Sequence, residues 1–302
     1  MKKLIISLLL TFFIFRCDQK PGEKTETEVE EGFTFAFLTD IHLQPELNAI
    51  EGFKQAIDTV NKLNPDFVIT GGDLVADALG VPFERADALY NLYKEVSAEF
   101  KMPVYNTMGN HEVFGLYEDS GIDPSHKEYN ENMFENRIGK RYYSFDHKGW
   151  HFMVLDGIGT DKGRHYYGGI DDEQIEWIKS ELAELDKDTP IVLRTHIPFI
   201  TAQTQLVRGT LAANGEGSVI TNGREVLLLF YEYNLKLVLQ GHLHFLEDIY
   251  VDNKVHFITG GAVSASWWNG PRGAVEEGFL LLRIKGEEVD WEYVDYGWEA
   301  QP

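Results

Sequence analysis

Five short motifs rich in aspartate, histidine and glycine constrain this 302-residue chain more than any other feature. Each follows an apolar run of strand length, and the motifs are Asp40-Ile41-His42, Gly72-Asp73, Gly109-Asn110-His111-Glu112, His196 and Gly241-His242-Leu243-His244. In open α/β sheets, ligands bind beyond the carboxyl ends of the strands, so we expect these segments to converge although they are far apart in sequence. The glycines let the backbone turn sharply at the strand ends.

The side chains in these motifs predict a metal site. They are imidazoles and carboxylates with one amide oxygen, and none is a thiolate. That ligand set suits Mn, Fe or Zn better than it suits a structural zinc cage. A lone histidine is usually structural or solvated, but five ordered motifs that contain histidine or aspartate seldom coincide by chance.

The first half of the chain alternates strand and helix. Apolar runs predict strands at 33–39, 67–70 and 103–108, and helical spacing of apolar residues predicts helices at 49–63 and 83–100. This β-α-β-α-β order implies a parallel sheet with helices packed on it.

The remaining pattern extends the same domain. Residues 113–140 are less regular, with one helix near 127–135, and residues 141–156 form a predicted hairpin that turns at 147–149. Further helices are predicted at 171–185 and 224–233, and further strands at 190–195, 235–239, 246–251, 255–259, 278–284 and 289–294. Because no repeat or second linker interrupts the pattern, we predict one domain over residues 32–302.

The five motifs resemble those of a known family, the calcineurin-like metallophosphoesterases. That family carries D-x-H, G-D, G-N-H-[DE], H and G-H-x-H in this order, and the resemblance covers roughly residues 33 to 285. Flanking segments agree as well: Tyr142-Tyr143-Ser144-Phe145, Leu155-Asp156, Gln174 to Trp177 and His196-Ile197-Pro198. The resemblance implies a four-layer α/β/β/α sandwich of mixed sheets around a βαβαβ core. It favours the branch with cyclic-nucleotide and nucleotide phosphodiesterases. His42 argues against the purple acid phosphatase branch, where a tyrosine ligand follows the first aspartate at a longer spacing.

The resemblance also implies a role for each motif residue. One metal ion would be held by Asp40, His42, Asp73 and His244, and the other by Asp73, Asn110, His196 and His242. Asp73 would bridge the two ions, which would be Mn, Fe or Zn. His111 would contact the phosphate and protonate the leaving oxygen. Glu112 would orient His111 or balance its charge.

A tryptophan-containing loop leaves two interpretations open. Trp267, Trp268 and Arg272 follow the predicted strand at 255–260. One indole could stack on a nucleobase while Arg272 pairs with phosphate, or the loop could simply pack over the sheet edge. Asn110 is a further candidate substrate contact. The same two interpretations, contact with the substrate or simple packing, apply to Arg164 and to Tyr166-Tyr167.

The N-terminus has the pattern of an export signal. Lys2 and Lys3 precede an apolar run at 4–15, which is short for a membrane span. Cys17, the only cysteine, follows Arg16, and the segment resembles a bacterial lipoprotein signal over residues 1–16. A plain anchor or a buried thiol is the alternative. Residues 17–31 are acidic with little apolar surface, so we expect a solvated tether. This predicts an exported lipoprotein anchored on the periplasmic or cell-surface side.

The charge balance excludes some partners. The formal net charge is −22, and no basic run provides the footprint that a nucleic-acid polymer requires. Small phosphates stay possible because metal ions supply local positive charge. We therefore expect a two-metal phosphoesterase that acts on phosphodiesters or phosphomonoesters, with nucleotide-like or other small organic phosphates favoured. The alternative is a non-catalytic metal-containing lipoprotein used for binding or assembly. In either case we expect contact with the membrane only through the N-terminal lipid anchor.

Overall fold

The computed structural model describes residues 32–300. The strands are β1 (Phe33–Leu38), β2 (Phe67–Thr70), β3 (Val104–Tyr105), β4 (Tyr143–His147), β5 (Trp150–Val154), β6 (Ile158–Thr160), β7 (Tyr166–Gly168), β8 (Pro190–Arg194), β9 (Asn234–Gln240), β10 (Glu247–Val251), β11 (Val255–Thr259), β12 (Gly278–Lys285) and β13 (Glu288–Asp295). The helices are α1 (Ala49–Leu63), α2 (Phe83–Ser97), α3 (Asn132–Arg137), α4 (Asp172–Glu184), α5 (Gln203–Arg208) and α6 (Gly223–Leu229).

These strands form two mixed sheets and a separate hairpin. The first sheet has the order β13-β12-β1-β2-β3, and the second has the order β10-β11-β9-β8-β5-β4. In the first sheet, β1, β2 and β3 are parallel and are joined by α1 and α2, which confirms the predicted βαβαβ core. In the second, β5, β8, β9 and β11 are parallel, and antiparallel strands flank them at both edges.

The two sheets pack face to face, with helices on their outer faces. Phe35 on β1 points toward the second sheet, where its ring centroid lies 5.6 Å from that of Phe152 on β5. The next residue, Ala36, points the other way and packs in the same buried cluster as Phe53 of α1. Because both faces of β1 are covered, its sequence is a continuous apolar run. The four-layer α/β/β/α sandwich is therefore confirmed.

The differences from the sequence prediction concern short elements. The third strand spans only Val104–Tyr105 and lies at a sheet edge, where it pairs with one neighbour. The helix expected at 127–135 is α3, which begins at Asn132. The hairpin of β6 and β7 and the helix α5 were missed, because elements of three to six residues carry too little periodicity to detect.

The predicted signal at 1–16, Cys17 and the tether at 17–31 lie outside the described residues. Between residues 32 and 300, no helix combines the length and the apolar character that crossing a bilayer requires.

Candidate metal centre

The structure brings the predicted ligands together at the ends of strands from both sheets. Asp40 and His42 follow β1, and Asp73 follows β2. From the second sheet, His196 follows β8 and the segment 242–244 follows β9. Three overlapping groups have ligand atoms within 4.8 Å of one another: Asp40, His42 and His244; His42, Asp73 and His111; and Asp73, His196 and His242. The first and third groups correspond to the two ligand sets that the family resemblance implies.

Asp73 belongs to the group of His196 and His242 and also faces the group that contains His42. Its Oδ2 atom is 3.1 Å from His196 Nε2 and 3.6 Å from His42 Nε2. Its other oxygen, Oδ1, accepts a hydrogen bond from the His111 amide at 3.0 Å. That bond directs Oδ2 into the centre, where a single oxygen faces ligands of both groups.

The Asp40 carboxylate is oriented in the same way. Its Oδ2 atom accepts hydrogen bonds from the Thr39 hydroxyl at 2.6 Å and from the His242 amide at 3.0 Å. Its Oδ1 atom lies 3.4 Å from His244 Nε2. One oxygen is therefore held by the protein and the other faces the centre.

Backbone carbonyls fix the histidine rings. His196 donates from Nδ1 to the Gly71 carbonyl at 2.7 Å, and His244 donates from Nδ1 to the Ala265 carbonyl at 2.5 Å. His242 uses the other ring nitrogen, because its Nε2 atom donates to the carbonyl of Gly217 at 2.9 Å. In each neutral ring the nitrogen that does not donate carries a lone pair. Carbonyl partners of this kind set the tautomer of metal-binding histidines.

The nitrogen and oxygen atoms that face the centre are better placed to bind a metal ion than to form hydrogen bonds with one another. His42 Nε2 and His244 Nε2 are 2.9 Å apart, and His196 Nε2 lies 3.1 Å from the Asn110 side-chain oxygen. Within residues 32–300, the buried atoms Asp40 Oδ1 and His42 Nδ1 have no hydrogen-bond partner. Converging lone pairs with so few protons between them are unfavourable unless a cation neutralises them.

Electrostatics favour the ligand forms of His42, His242 and Asp73, whereas for His196 burial is outweighed by the charge of Asp73, which raises the pKa of that ring. Burial, assisted by the charge of His111, holds the pKa of His42 well below its usual value. Burial and the charge of His196 lower the pKa of His242 to about 4. Burial opposes ionisation of Asp73, but His196 and His111 outweigh it and hold the pKa of that carboxyl well below its ordinary value. Neutral imidazoles and ionised carboxylates are the forms that bind metals.

The backbone is strained at the ligand positions. Five non-glycine ligand residues have positive φ angles, namely Asp40 (56°), His42 (47°), Asp73 (52°), His242 (71°) and His244 (47°). Such conformations are unfavourable and persist where the surrounding structure enforces them, typically at functional sites. Close packing adds a second constraint, because a Cβ atom on Gly109 would lie 2.3 Å from Asp73 Oδ1.

Glu112 has a different position from the one expected. Its buried carboxylate accepts hydrogen bonds from four backbone amides, those of Asp73, Leu74, Val75 and Gly109, at 2.7–3.0 Å. Burial and the Asp73 charge raise the pKa of Glu112 to about 7 in spite of these donors. None of the four bonds reaches the His111 ring. The Glu112 carboxylate thus holds the loop that carries Asp73, and its charge also contributes to the raised pKa of His111, as the charge-balancing role predicts.

The His111 ring faces the carboxylate of Asp77, which sequence reasoning missed. Asp77 Oδ1 lies 3.6 Å from His111 Nδ1, and His111 Nε2 lies 4.0 Å from Asp73 Oδ2. Burial opposes a charged ring, but Asp73 and Asp77 raise the pKa of His111 to about 9. The side chain is a quarter exposed. The position of Asp77, four residues after Asp73 in the same loop, was the available signal.

The two tryptophans have different environments. Trp268 is buried, and its indole donates to the Ile41 and His42 carbonyls at 3.0 and 3.1 Å. The packing interpretation is therefore correct for Trp268. Trp267 is exposed, and its ring centroid lies 4.3 Å from that of His244. Arg272 lies over the same indole, with its guanidinium carbon 5.1 Å from the ring centroid.

A second aromatic ring flanks the centre on the side of His242. The Tyr166 ring is 6.1 Å from the His242 ring in an edge-to-face arrangement. Burial raises the pKa of Tyr166 to about 12, so the phenol stays neutral. Arg164 does not face the centre, because its guanidinium donates to four backbone carbonyls in the 115–122 segment.

Comparisons with known proteins agree with this geometry. Purple acid phosphatase 15 of Arabidopsis thaliana is 30% identical over 158 residues, which are 49% of this chain and 25% of that protein. The 3',5'-cyclic adenosine monophosphate phosphodiesterase CpdA of Escherichia coli is 22% identical over 222 residues, 68% of each chain. A dimetal phosphatase from Danio rerio has the same fold, with a TM-score of 0.58 at 14% identity, over 88% of this chain and 99% of that one.

The relatives differ in how much of them the chain matches. It spans about a quarter of the plant phosphatase and about two thirds of CpdA. The sequence profile described as Calcineurin-like phosphoesterase matches residues 33–246, which is well over half of the chain and includes all five motifs. This chain therefore belongs to the calcineurin-like phosphoesterase family.

Proposed function

We propose that the protein is a metal-dependent phosphoric ester hydrolase with two metal ions. The observation that carries this proposal is the position of Asp73 Oδ2, which faces His196 at 3.1 Å and His42 at 3.6 Å. A carboxylate oxygen shared by two ligand groups is suited to bridge two ions. Two ions bound by these residues would supply an acidic bound water and stabilise charge on a transferring phosphoryl group.

The ligand groups divide between the two ions. Asp40, His42, Asp73 and His244 would hold one ion, and Asp73, Asn110, His196 and His242 would hold the other. Imidazole, carboxylate and amide ligands suit Mn, Fe or Zn. The protein contributes by holding these side chains rigid: the carbonyls of Gly71, Ala265 and Gly217 fix the rings, and the amides around Glu112 fix the Asp73 loop.

His111 is suited to deliver a proton to the leaving oxygen. Its Nε2 atom faces the centre 4.0 Å from Asp73, and its Nδ1 atom faces Asp77 at 3.6 Å. The charge of Asp77 thus stabilises the protonated form of the ring. Because the ring is partly exposed and belongs to neither of the two proposed ligand sets, it is available to a substrate.

The proposed substrates are small organic phosphates, with phosphodiesters of the nucleotide type favoured. The similarity to CpdA, which is named for a cyclic nucleotide, supports this choice over 68% of the chain. The site lies beneath a partly exposed rim that includes Tyr166, Trp267 and Arg272. An open rim of this kind suits small esters of varied shape.

An activity screen tests the proposal. The protein loaded with Mn is assayed against phosphodiesters and phosphomonoesters, with an Asp73→Asn variant as the matched control. We expect metal-dependent hydrolysis by the wild type and none by the variant. A protein that holds two metal ions and yet hydrolyses no phosphate ester would contradict the proposal and favour the binding role.

We also propose that the protein is exported and anchored through Cys17 as a lipoprotein. The basic start at Lys2 and Lys3, the apolar run at 4–15 and the single cysteine after it support this. On this proposal the acidic segment 17–31 separates the catalytic domain from the membrane, and the substrates are those available outside the cytoplasm.

A further inference from the structure

Arg272 lies beside the metal centre, and within the described part of the chain its charge is not neutralised. No carboxylate pairs with its guanidinium between residues 32 and 300, and the side chain donates no hydrogen bond there. The chain has 49 acids and only 27 bases, and several arginines, such as Arg85, form ion pairs. An arginine with five unused donors at the rim of a phosphate site is therefore notable as a candidate anion contact.

The position of Arg272 is set by Trp267. The guanidinium carbon lies 5.1 Å from the indole centroid, and the same indole contacts the His244 ring at 4.3 Å. The indole thus joins the cation to a proposed metal ligand. Stacking of this type is favourable for arginine.

The loop holds both side chains in place. Arg272 and Val275 exchange backbone hydrogen bonds of 2.9 and 3.2 Å around a turn that contains Gly273 at a φ of 69°. Trp267 and Trp268 have φ values of 52° and 67°, which are unfavourable for bulky residues. Trp268 is anchored by its bonds to the Ile41 and His42 carbonyls. This anchoring fixes Trp267, and with it the guanidinium, relative to His42.

Another arginine near the centre, Arg194, already uses its guanidinium in hydrogen bonds. Arg194 is buried, and its guanidinium donates to the carbonyls of Thr70 at 3.2 Å and Leu239 at 3.1 Å. Arg194 therefore supports the strands below the site, whereas Arg272 is half-buried at its rim with its donors unused. The two arginines have separate roles.

We propose that Arg272, held on Trp267, binds a second anionic group of the substrate, a carboxylate or phosphate set back from the reacting phosphate. The inference rests on the proposed function and narrows its substrate class to phosphate esters that carry a further negative charge. Among residues 32–300, no hydrogen bond or ion pair joins this guanidinium to a ligand residue, and it lies on the indole that contacts His244. It suits a group several bonds away, which it can hold with two parallel hydrogen bonds.

Binding of two phosphonates to the metal-loaded 302-residue chain tests this inference without requiring turnover. The probes are butylphosphonate and 4-phosphonobutyrate, which adds a terminal carboxylate, and the measurement is titration calorimetry at constant ionic strength. We expect the wild type to bind 4-phosphonobutyrate about 10-fold more tightly, because a charge-assisted hydrogen bond contributes at least that much. Arg272→Gln should abolish the preference and leave the affinity for butylphosphonate unchanged.

Three further variants sharpen the test. Arg272→Lys should keep part of the preference, since it retains the charge but loses the planar fork. Trp267→Leu should reduce the preference because the guanidinium is no longer held in place, whereas the control Arg85→Gln should keep it in full.

The outcomes separate the inference from the proposed function. A preference that survives Arg272→Gln would place the carboxylate elsewhere and overturn the inference. Equal weakening of both probes would do the same, since Arg272 would then contact the phosphonate itself. Binding of butylphosphonate without any preference for the carboxylate overturns the inference alone. If neither probe binds the metal-loaded wild type, the proposed function fails and the inference fails with it.

Discussion

The Glu112 carboxylate accepts a hydrogen bond of 2.9 Å from the backbone amide of Asp73. Two further amides of the same loop and that of Gly109 donate to the same carboxylate. The loop that presents the proposed bridging ligand is thus assembled around one buried acid. Such support of a ligand residue affects metal affinity without contact to the metal.

Glu112→Gln is therefore expected to weaken metal binding. The amide would turn an N–H group toward backbone donors and leave one or more buried amides without an acceptor, at a cost of about 1–3 kcal/mol each. We expect metal affinity to fall by roughly 10- to 100-fold, with a lower melting temperature. Titration with Mn and thermal unfolding of the metal-free protein measure the two effects. Glu184→Gln, an exposed glutamate on α4, is the matched control, and a metal affinity equal to that of this control would refute the assigned role.

A second prediction concerns the number of metal ions. Because Asp73 Oδ2 faces both ligand groups, the protein loaded with excess Mn or Zn and then desalted should retain two equivalents. Asp73→Ala should lose both ions together. His165→Ala, whose side chain is 76% exposed, should keep both. Elemental analysis gives the stoichiometry, and one equivalent or none in the wild type would count against a shared ligand.

Replacement of His111 distinguishes a proton donor from a metal ligand. His111→Ala should lower kcat by about 10²–10⁴-fold on substrates with poor leaving groups, since general acid catalysis contributes that much. Substrates with acidic phenol leaving groups should lose less, because their oxygen needs less protonation. Metal content should match the wild type. Loss of a metal ion, or an equal loss of rate on every leaving group, would show that His111 holds the phosphate or a metal instead.

The N-terminal proposal is tested by mass. If Cys17 is lipidated and residues 1–16 are removed, the protein isolated from the native membrane fraction should begin at the modified cysteine with a lipid adduct. Cys17→Ser should release the protein from that fraction or leave the signal uncleaved. A wild-type protein that carries no lipid adduct at Cys17, or a Cys17→Ser protein that is still cleaved before residue 17, would reject lipidation.

The sequence predicted the parts of the site that occur in chemical motifs. Asp40, Asp73 and His196 could be placed because each follows a strongly apolar strand, and the ends of such strands meet at one edge. The backbone partners of the ligands could not be found in this way. Carbonyls such as those of Gly71 and Gly217 belong to every residue, and only the folded loop shows which of them meets a ring.

Adjacency in sequence did not reveal the backbone contacts of Glu112. Its position next to His111 suggested a pair, but the 3₁₀ turn at Asn110–Glu112 directs its carboxylate toward the Asp73 loop. Asp77, four residues after Asp73, is a carboxylate that faces the His111 ring, at 3.6 Å. Trp267 and Trp268 show the same limit of sequence-based prediction. The two residues are identical and adjacent, yet Trp267 is exposed and Trp268 is buried. Both have positive φ angles, a backbone conformation that the sequence does not reveal.

The positive φ angles at the ligand residues have a consequence for telling active members of such a fold from inactive ones. Each left-handed non-glycine residue costs roughly 1 kcal/mol or more, so the five together destabilise the metal-free chain considerably. Glycine or asparagine at these five positions would relieve that cost. Selection opposes such substitutions only while the imidazoles and carboxylates are needed to bind metal. In a descendant that no longer binds metal, these turns should drift to glycine and asparagine while the sheets stay unchanged. Retention of aspartate and histidine at all five strained positions thus marks a chain still under selection for its chemistry.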